Sequence, residues 1–262
     1  MQLSTYYESH EYSALEKRCL AFAEQFVIDV TRLTKADLTD LALYFSTKEL
    51  HDFVVALYVT ECTQRLEVMG PVLLGGSADG SAMVPLMNVH PNEAPGSIEP
   101  ALDRYQEAVV RGTALDPVTA EMVRLRCART HNCRICRTLR LVNAREAGVD
   151  DAMTAKIDFY EESDLDERVK LALRITDAFI TRPDTLTEPT VRQAVAAFTP
   201  EALAELCLDI TKWSTQKIHV ALGTDGADIL PKNDQGMSFF TFDPDGRVAG
   251  FTAAPRPQSR TQ

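Results

Sequence analysis

The sequence predicts an all-α fold with a partial internal repeat and a small C-terminal β-hairpin. Three observations carry this. Apolar residues recur at helical spacing over most of the chain; Ser46, Asp116-Pro117, Gly70 and Gly148 punctuate those runs as helix starts and stops; and β-prone runs gather at Met237–Phe242 and Arg247–Thr252, around the turn sequence Asp243-Pro244-Asp245-Gly246. With 262 residues and 45% hydrophobic content, the chain is long enough to bury one large or two small cores. Its 27 basic and 38 acidic residues leave a net charge of −11, which repels phosphate backbones and anionic membrane surfaces, so nucleic acid is excluded as an expected partner. The segment MQLSTYYESHEYSALEKRC carries no basic-plus-apolar leader, and no apolar run approaches the ~20 residues that span a bilayer; a cytoplasmic protein is expected. The six cysteines, Cys19, Cys62, Cys127, Cys133, Cys136 and Cys207, do not read as a secreted disulfide scaffold, and most are expected to be small buried apolar residues.

Taken in order, helices are expected at Glu11–Leu33, Lys35–Phe45 and Thr47–Met69, the last opened by the capping box Ser46-Thr47-Lys48-Glu49 and closed by Gly70. Residues 71–100 are rich in Gly, Pro and Ser and read as a linker. Helical signals resume at Ile98–Arg111, at Pro117–Thr130 with Asp116 as N-cap, and at Cys133–Ala147 stopped by Gly148. Further helices are expected at Asp151–Tyr160, Leu165–Ile180, Glu188–Ala197 and Pro200–Leu222. The segments Glu16–Gly70 and Glu167–Gly223 share one order of features, and Phe45, Ser46, Leu50 and Gly70 match Phe198, Thr199, Leu203 and Gly223 at a constant offset. This predicts a degenerate helical half-repeat over 1–70, a linker over 71–99, a main helical domain over 100–230, and a hairpin with a flexible tail over 231–262.

The chemistry concentrates in EMVRLRCARTHNCRICRTLR, residues 121–140. Cys133 and Cys136 are one helical turn apart, a spacing that lets a dithiol cycle to a disulfide, and a helix start favours the thiolate. Asn132 is expected to cap that helix, which makes Cys133 the more exposed sulfur. Glu121 falls inside or beside the apolar stripe of Val118, Met122 and Leu125; it is expected either to exchange a proton with a thiol or to pair with a neighbouring arginine. A zinc site completed by Cys127 and His131 is the competing use of the same spacing, although a structural site usually draws its second pair from a separate knuckle; no metal is expected. Arg124, Arg126, Arg129, Arg134, Arg137, Arg140 and Arg145 form a basic island without an acidic residue. Arg137 and Arg140 each follow a cysteine by four residues and are expected to hold a thiolate or an anionic substrate. Trp213 is expected in the core.

Glu121, eleven intervening residues, and Cys133-Arg134-Ile135-Cys136 together resemble the active-site motif of the alkylhydroperoxidase D / carboxymuconolactone decarboxylase superfamily, over roughly residues 100–225. The resemblance implies an all-α AhpD-like fold, homo-oligomers, and hydroperoxide reduction by a dithiol that an external thiol-carrying reductant protein recycles, with no bound cofactor. It also implies Cys136 as the attacking sulfur, whereas helix position favours Cys133. The family pattern carries a histidine four residues after the second cysteine, where this chain has Arg140; since arginine cannot accept a proton, His131 and His219 are the candidate relays. The expected function is thus a thiol-dependent peroxidase or related dithiol oxidoreductase. A non-redox decarboxylase-type enzyme acting on an acidic metabolite, and a redox-sensing helical module, are the alternatives.

Overall fold

The computed structural model describes residues 5–75, 98–226 and 229–254. Most of the expected linker and most of the expected flexible tail lie outside these residues. The chain is mostly helical. It runs through α1 (Ala14–Asp29), α2 (Lys35–Ala42), α3 (Thr47–Leu74), α4 (Ile98–Val109), α5 (Pro117–Thr130) and α6 (Arg134–Thr138), then β1 (Leu139–Leu141), α7 (Val142–Glu146), α8 (Asp151–Ala155), α9 (Glu167–Thr181), α10 (Glu188–Ala197), α11 (Pro200–Trp213) and α12 (Gln216–Ala221), and ends in β2 (Ser238–Phe242) and β3 (Val248–Thr252). No described helix is long and apolar enough to cross a membrane.

Local chemistry explains most boundaries. Ser46 and Glu49 form the expected capping box of α3, and Asp116 caps α5 with Pro117 in the first turn. Several boundaries differ from the sequence reading; among them, the first two helices end early, at Asp29 and Ala42, and the helix expected at Asp151–Tyr160 is α-helical only to Ala155 and continues as a 3₁₀ helix. The first helix starts at Ala14, because Ser13 and Glu16 make a capping box of their own. The third does not stop at Gly70: burial of Met69 and Leu73 carries α3 through Pro71, which forgoes a backbone hydrogen bond, to a left-handed Gly75. Gly70 therefore lies inside a helix whereas its expected counterpart Gly223 lies beyond one, and that part of the repeat fails. The expected helix Pro200–Leu222 breaks into α11 and α12 at Ser214 and Thr215, where the Thr215 hydroxyl bonds back to the carbonyl of Lys212. The expected helix Cys133–Ala147 breaks as well. Leu139 turns extended, and Leu139–Leu141 pairs in parallel with Ser238–Phe240. The hairpin forms as expected, β2 antiparallel to β3, but β1 makes it a three-stranded sheet.

Helix α5 is central. Val123 and Cys127 pack with Ile175, Phe179, Leu206 and Ile210 of α9 and α11, while Met122 and Leu125 face Ile157, Leu173 and Phe240. Each such side chain contributes about 1.5–3 kcal/mol by leaving water. Apolar packing on both sides of α5 leaves its polar residues buried too, so they must find partners inside the protein. A separate apolar cluster of Phe22, Phe26, Val54 and Tyr58 joins α1 and α3 to Ile218 and Ala221 of α12. The Tyr58 hydroxyl donates to the carbonyl of Thr211 (2.7 Å), tying α3 to α11.

Candidate functional site

Two helix endings build the site. At the C-terminus of α5, Asn132 adopts a left-handed conformation (φ 52°), its N–H donates to the Arg129 carbonyl (3.0 Å), and the Cys133 N–H donates to that of Ala128 (3.0 Å). This is a Schellman ending with asparagine in the place more often taken by glycine. At the end of α12 the same pair of bonds forms around Gly223, from Gly223 to Val220 and from Thr224 to His219. The first ending delivers Cys133 and the second delivers Asp225.

These two segments meet. The Asp225 carboxylate accepts from the Arg134 N–H (2.9 Å) and from the Arg134 guanidinium (2.8 and 3.2 Å), and its carbonyl accepts from the Ile135 N–H (3.1 Å). Both residues between the cysteines are therefore fastened by one acid. Burial alone would raise the Asp225 pKa, but the hydrogen bonds and charge of Arg134 hold it below the usual carboxylate value. Asp225 has no sequence signature: it lies 91 residues from Arg134, and only its place just beyond a helix-ending glycine marks it.

Cys133 and Cys136 are joined by a disulfide bond. Cys133, not Asn132, is the N-cap of α6, with its sulfur accepting from the Cys136 N–H (3.3 Å). Asn132 is unavailable for capping because its left-handed backbone ends α5, and its side-chain oxygen accepts from Arg137 (2.7 Å). The expected exposure is also reversed. Cys133 is 0% exposed, packed with Ala128 and Val220, while Cys136 is 7% exposed and is the sulfur nearer to solvent.

Glu121 and Arg124 are each 1% exposed and form a bidentate pair at 2.6 and 2.7 Å. The Leu141 N–H also donates to Glu121 (3.2 Å). Arg124 spends its other donors on the carbonyls of Cys136 (3.1 Å) and Leu139 (2.5 Å), the places where α6 ends and β1 begins. Its guanidinium also lies over the rings of Trp213 and Phe240. Glu121 thus reaches the cysteine turn through Arg124, and its partners are Arg124 and Leu141, neither sulfur among them.

Much of the basic island is spent on structure. Arg126 pairs with Asp177, Arg129 with Asp158, and Arg134 with Asp225. Arg137 is exposed and bound to Asn132. Arg140 is buried, donates to the carbonyls of Arg137 and Leu139, and its Nε has no hydrogen-bond partner among the described residues; burial and then the Arg124 charge bring its pKa down to about 10, so it stays cationic near neutrality. His131 is buried with Nε2 3.4 Å from the Ser214 hydroxyl, and burial, with Lys217 and Arg65 adding, pushes its pKa well below the ordinary value. His219 contacts Thr224 (3.3 Å). Neither imidazole is hydrogen-bonded to a sulfur. Cys127 and His131 do not close around the cysteine pair as a metal site would need; among the described residues the one grouping with ligand-like spacing is His51, Asp52 and Glu99.

No protein-family model and no solved structure matches the chain. Two curated relatives do: the uncharacterized proteins MT2376 and Rv2313c of Mycobacterium tuberculosis, each 33% identical over 232 residues, which cover 87% of this chain and 78% of the relative. The chain belongs to the same family as these uncharacterized mycobacterial proteins.

Proposed function

We propose that the protein is a dithiol oxidoreductase of the alkylhydroperoxidase D type, which reduces a hydroperoxide through Cys133 and Cys136 and is recycled by an external thiol. The observation that carries this reading is the Cys133–Cys136 bond in a turn braced from two sides, by Asp225 on the intervening residues and by Arg124 on the Cys136 carbonyl.

In this scheme the Cys136 thiolate attacks the distal oxygen of the hydroperoxide. The O–O bond breaks, the alcohol leaves with a proton, and Cys136 becomes a sulfenic acid. The Cys133 thiol then attacks the Cys136 sulfur; the S–O bond breaks and the hydroxide leaves as water with the Cys133 thiol proton, closing the disulfide. An incoming thiolate reopens it at Cys136, the more exposed sulfur, and Cys133 departs as a thiolate that the Cys136 N–H stabilises. A second thiol of the reductant releases the mixed disulfide. Glu121 is a positioning residue here: it orients Arg124, which holds the end of the cysteine turn.

Steady-state consumption of a hydroperoxide with dithiothreitol as electron donor tests the reading. Replacing both cysteines by serine should abolish turnover. Unchanged consumption by that variant would overturn the assignment.

A further inference from the structure

A cavity of about 270 Å³ opens on one face of α11. Glu205, Asp209 and Trp213 enter it from that helix at four-residue spacing, Val109 from the end of α4, and Leu141 and Phe242 from β1 and β2. Two carboxylates thus share one space with apolar and aromatic walls, and they are the only charged side chains in its wall among the described residues. Their situations differ. Glu205 accepts from the N–H groups of Ala114 (2.7 Å) and Leu115 (3.2 Å). Asp209 is 6% exposed and makes no hydrogen bond or ion pair with a described residue. Its oxygens are not sealed in by protein, as the partnerless Arg140 Nε and Gln216 Oε1 are, so the open space they reach is the cavity that Asp209 lines.

No neighbouring cation answers this acid. Lys212, three residues along α11, lies outside the cavity wall with its amine 3.4 Å from the centroid of the Trp213 ring, and it makes no ion pair with a described residue. Arg124 is spent on Glu121. The Tyr105 hydroxyl of α4 donates to the Leu208 carbonyl (2.9 Å). A carboxyl that has given up water without gaining a partner is driven toward its neutral form. Burial accordingly raises Asp209 to about 7, with Glu205 adding and Lys212 opposing. The C-terminal end of α4, where Val109 and Val110 reach the same space, adds partial negative charge.

We propose that this cavity binds a small organic ammonium with an aromatic or apolar body, its nitrogen donating to Asp209 and its body lying against Trp213, Phe242 and Leu141. An ammonium supplies both the missing positive charge and several N–H donors, which suits one free carboxylate, a second beside it and a helix end. The apolar body fills walls that a bare metal ion would leave empty. Binding is non-covalent and uses neither cysteine, so the site stands apart from the redox reading.

Trp213 is the single tryptophan of the chain, so its fluorescence reports on the cavity directly. Titration of the full chain at neutral pH with phenethylammonium chloride should give a saturable change with a Kd below about 1 mM. The neutral counterpart 2-phenylethanol should bind at least about tenfold more weakly, and calcium chloride should give no saturable change. Asp209→Asn should weaken phenethylammonium at least about tenfold while its urea midpoint holds or rises, because an unpaired buried acid is a cost. Changing Cys133 and Cys136 to serine should leave the affinity as it is. The comparison of amine with alcohol is made on the parent protein and decides the matter whatever Asp209→Asn does to folding. No saturable change, equal affinity for amine and alcohol, or a response to calcium alone would overturn the site; undiminished affinity in folded Asp209→Asn would overturn the role of Asp209.

Discussion

Asp225 accepts both the backbone N–H and the guanidinium of Arg134, the residue directly after Cys133. The backbone bond matters more, because the Arg134 side chain is 63% exposed and its ion pair is screened by water. Asp225→Ala leaves the Arg134 and Ile135 turn without its brace, and a cost of about 1–3 kcal/mol in stability is expected from the lost acceptor. Urea unfolding of the oxidised protein measures it. Because the folded carboxyl lies below its usual value, its contribution is present above the unfolded pKa of ~3.9 and is lost as pH falls through the folded one. The variant should lack that acid-side loss, and an unchanged midpoint would remove Asp225 from the account.

Glu121 and Arg124 should behave as a unit. Glu121→Gln leaves a buried guanidinium without its anion, and about 3–5 kcal/mol of destabilisation is expected. The double change Glu121→Gln with Arg124→Met should cost less than the sum of the two single changes, by the coupling that a double-mutant cycle measures. Additive costs would mean that the pair is not the clamp described.

His131 sets a pH dependence near neutrality. Its folded pKa is depressed by burial and by the nearby Lys217 and Arg65 charges, so stability is full above the unfolded value of ~6.5 and falls below it, as the unfolded chain takes up a proton that the folded chain refuses. The loss should approach about 1.4 kcal/mol per pH unit between pH 6 and 5 for this one group. Urea midpoints at pH 7.5, 6 and 5 should show it in the parent protein. His131→Asn should flatten it, and a parallel slope in that variant would contradict the assignment.

Exposure orders the thiols. In the reduced protein iodoacetamide should reach Cys136 before Cys133. Cys133→Ser should still form a mixed disulfide with glutathione through Cys136, whereas Cys136→Ser should react at least about tenfold more slowly. Equal rates in the two variants would remove the distinction between an entry sulfur and a leaving sulfur.

The parts of this fold that were legible in the sequence are those fixed within a few residues. Asp116-Pro117 placed the start of α5, Ser46 with Glu49 that of α3, and Asp243–Gly246 the hairpin turn. The departures come from distant partners. Leu139–Leu141 continues a helical pattern by itself, and a strand arriving from Ser238 makes it extended. Buried Leu73 carries α3 past a glycine and a proline. In the site, the Cys133 and Cys136 spacing and the Glu121 to Arg124 neighbourhood could be read locally, but Asp225 could not, since its contact depends on two helix endings meeting. Asn132 misled for a physical reason: asparagine serves both helix starts and left-handed helix ends, and here the end won.

The most direct measurement is stoichiometric. Fully reduced protein is mixed with one equivalent of a hydroperoxide, quenched with an alkylating reagent, and mapped by peptide mass while the alcohol product is counted. The account predicts one Cys133–Cys136 bond for each alcohol formed, with Cys62, Cys127 and Cys207 still thiols. Cys133 and Cys136 both recovered as alkylated thiols, with the peroxide intact, would contradict it.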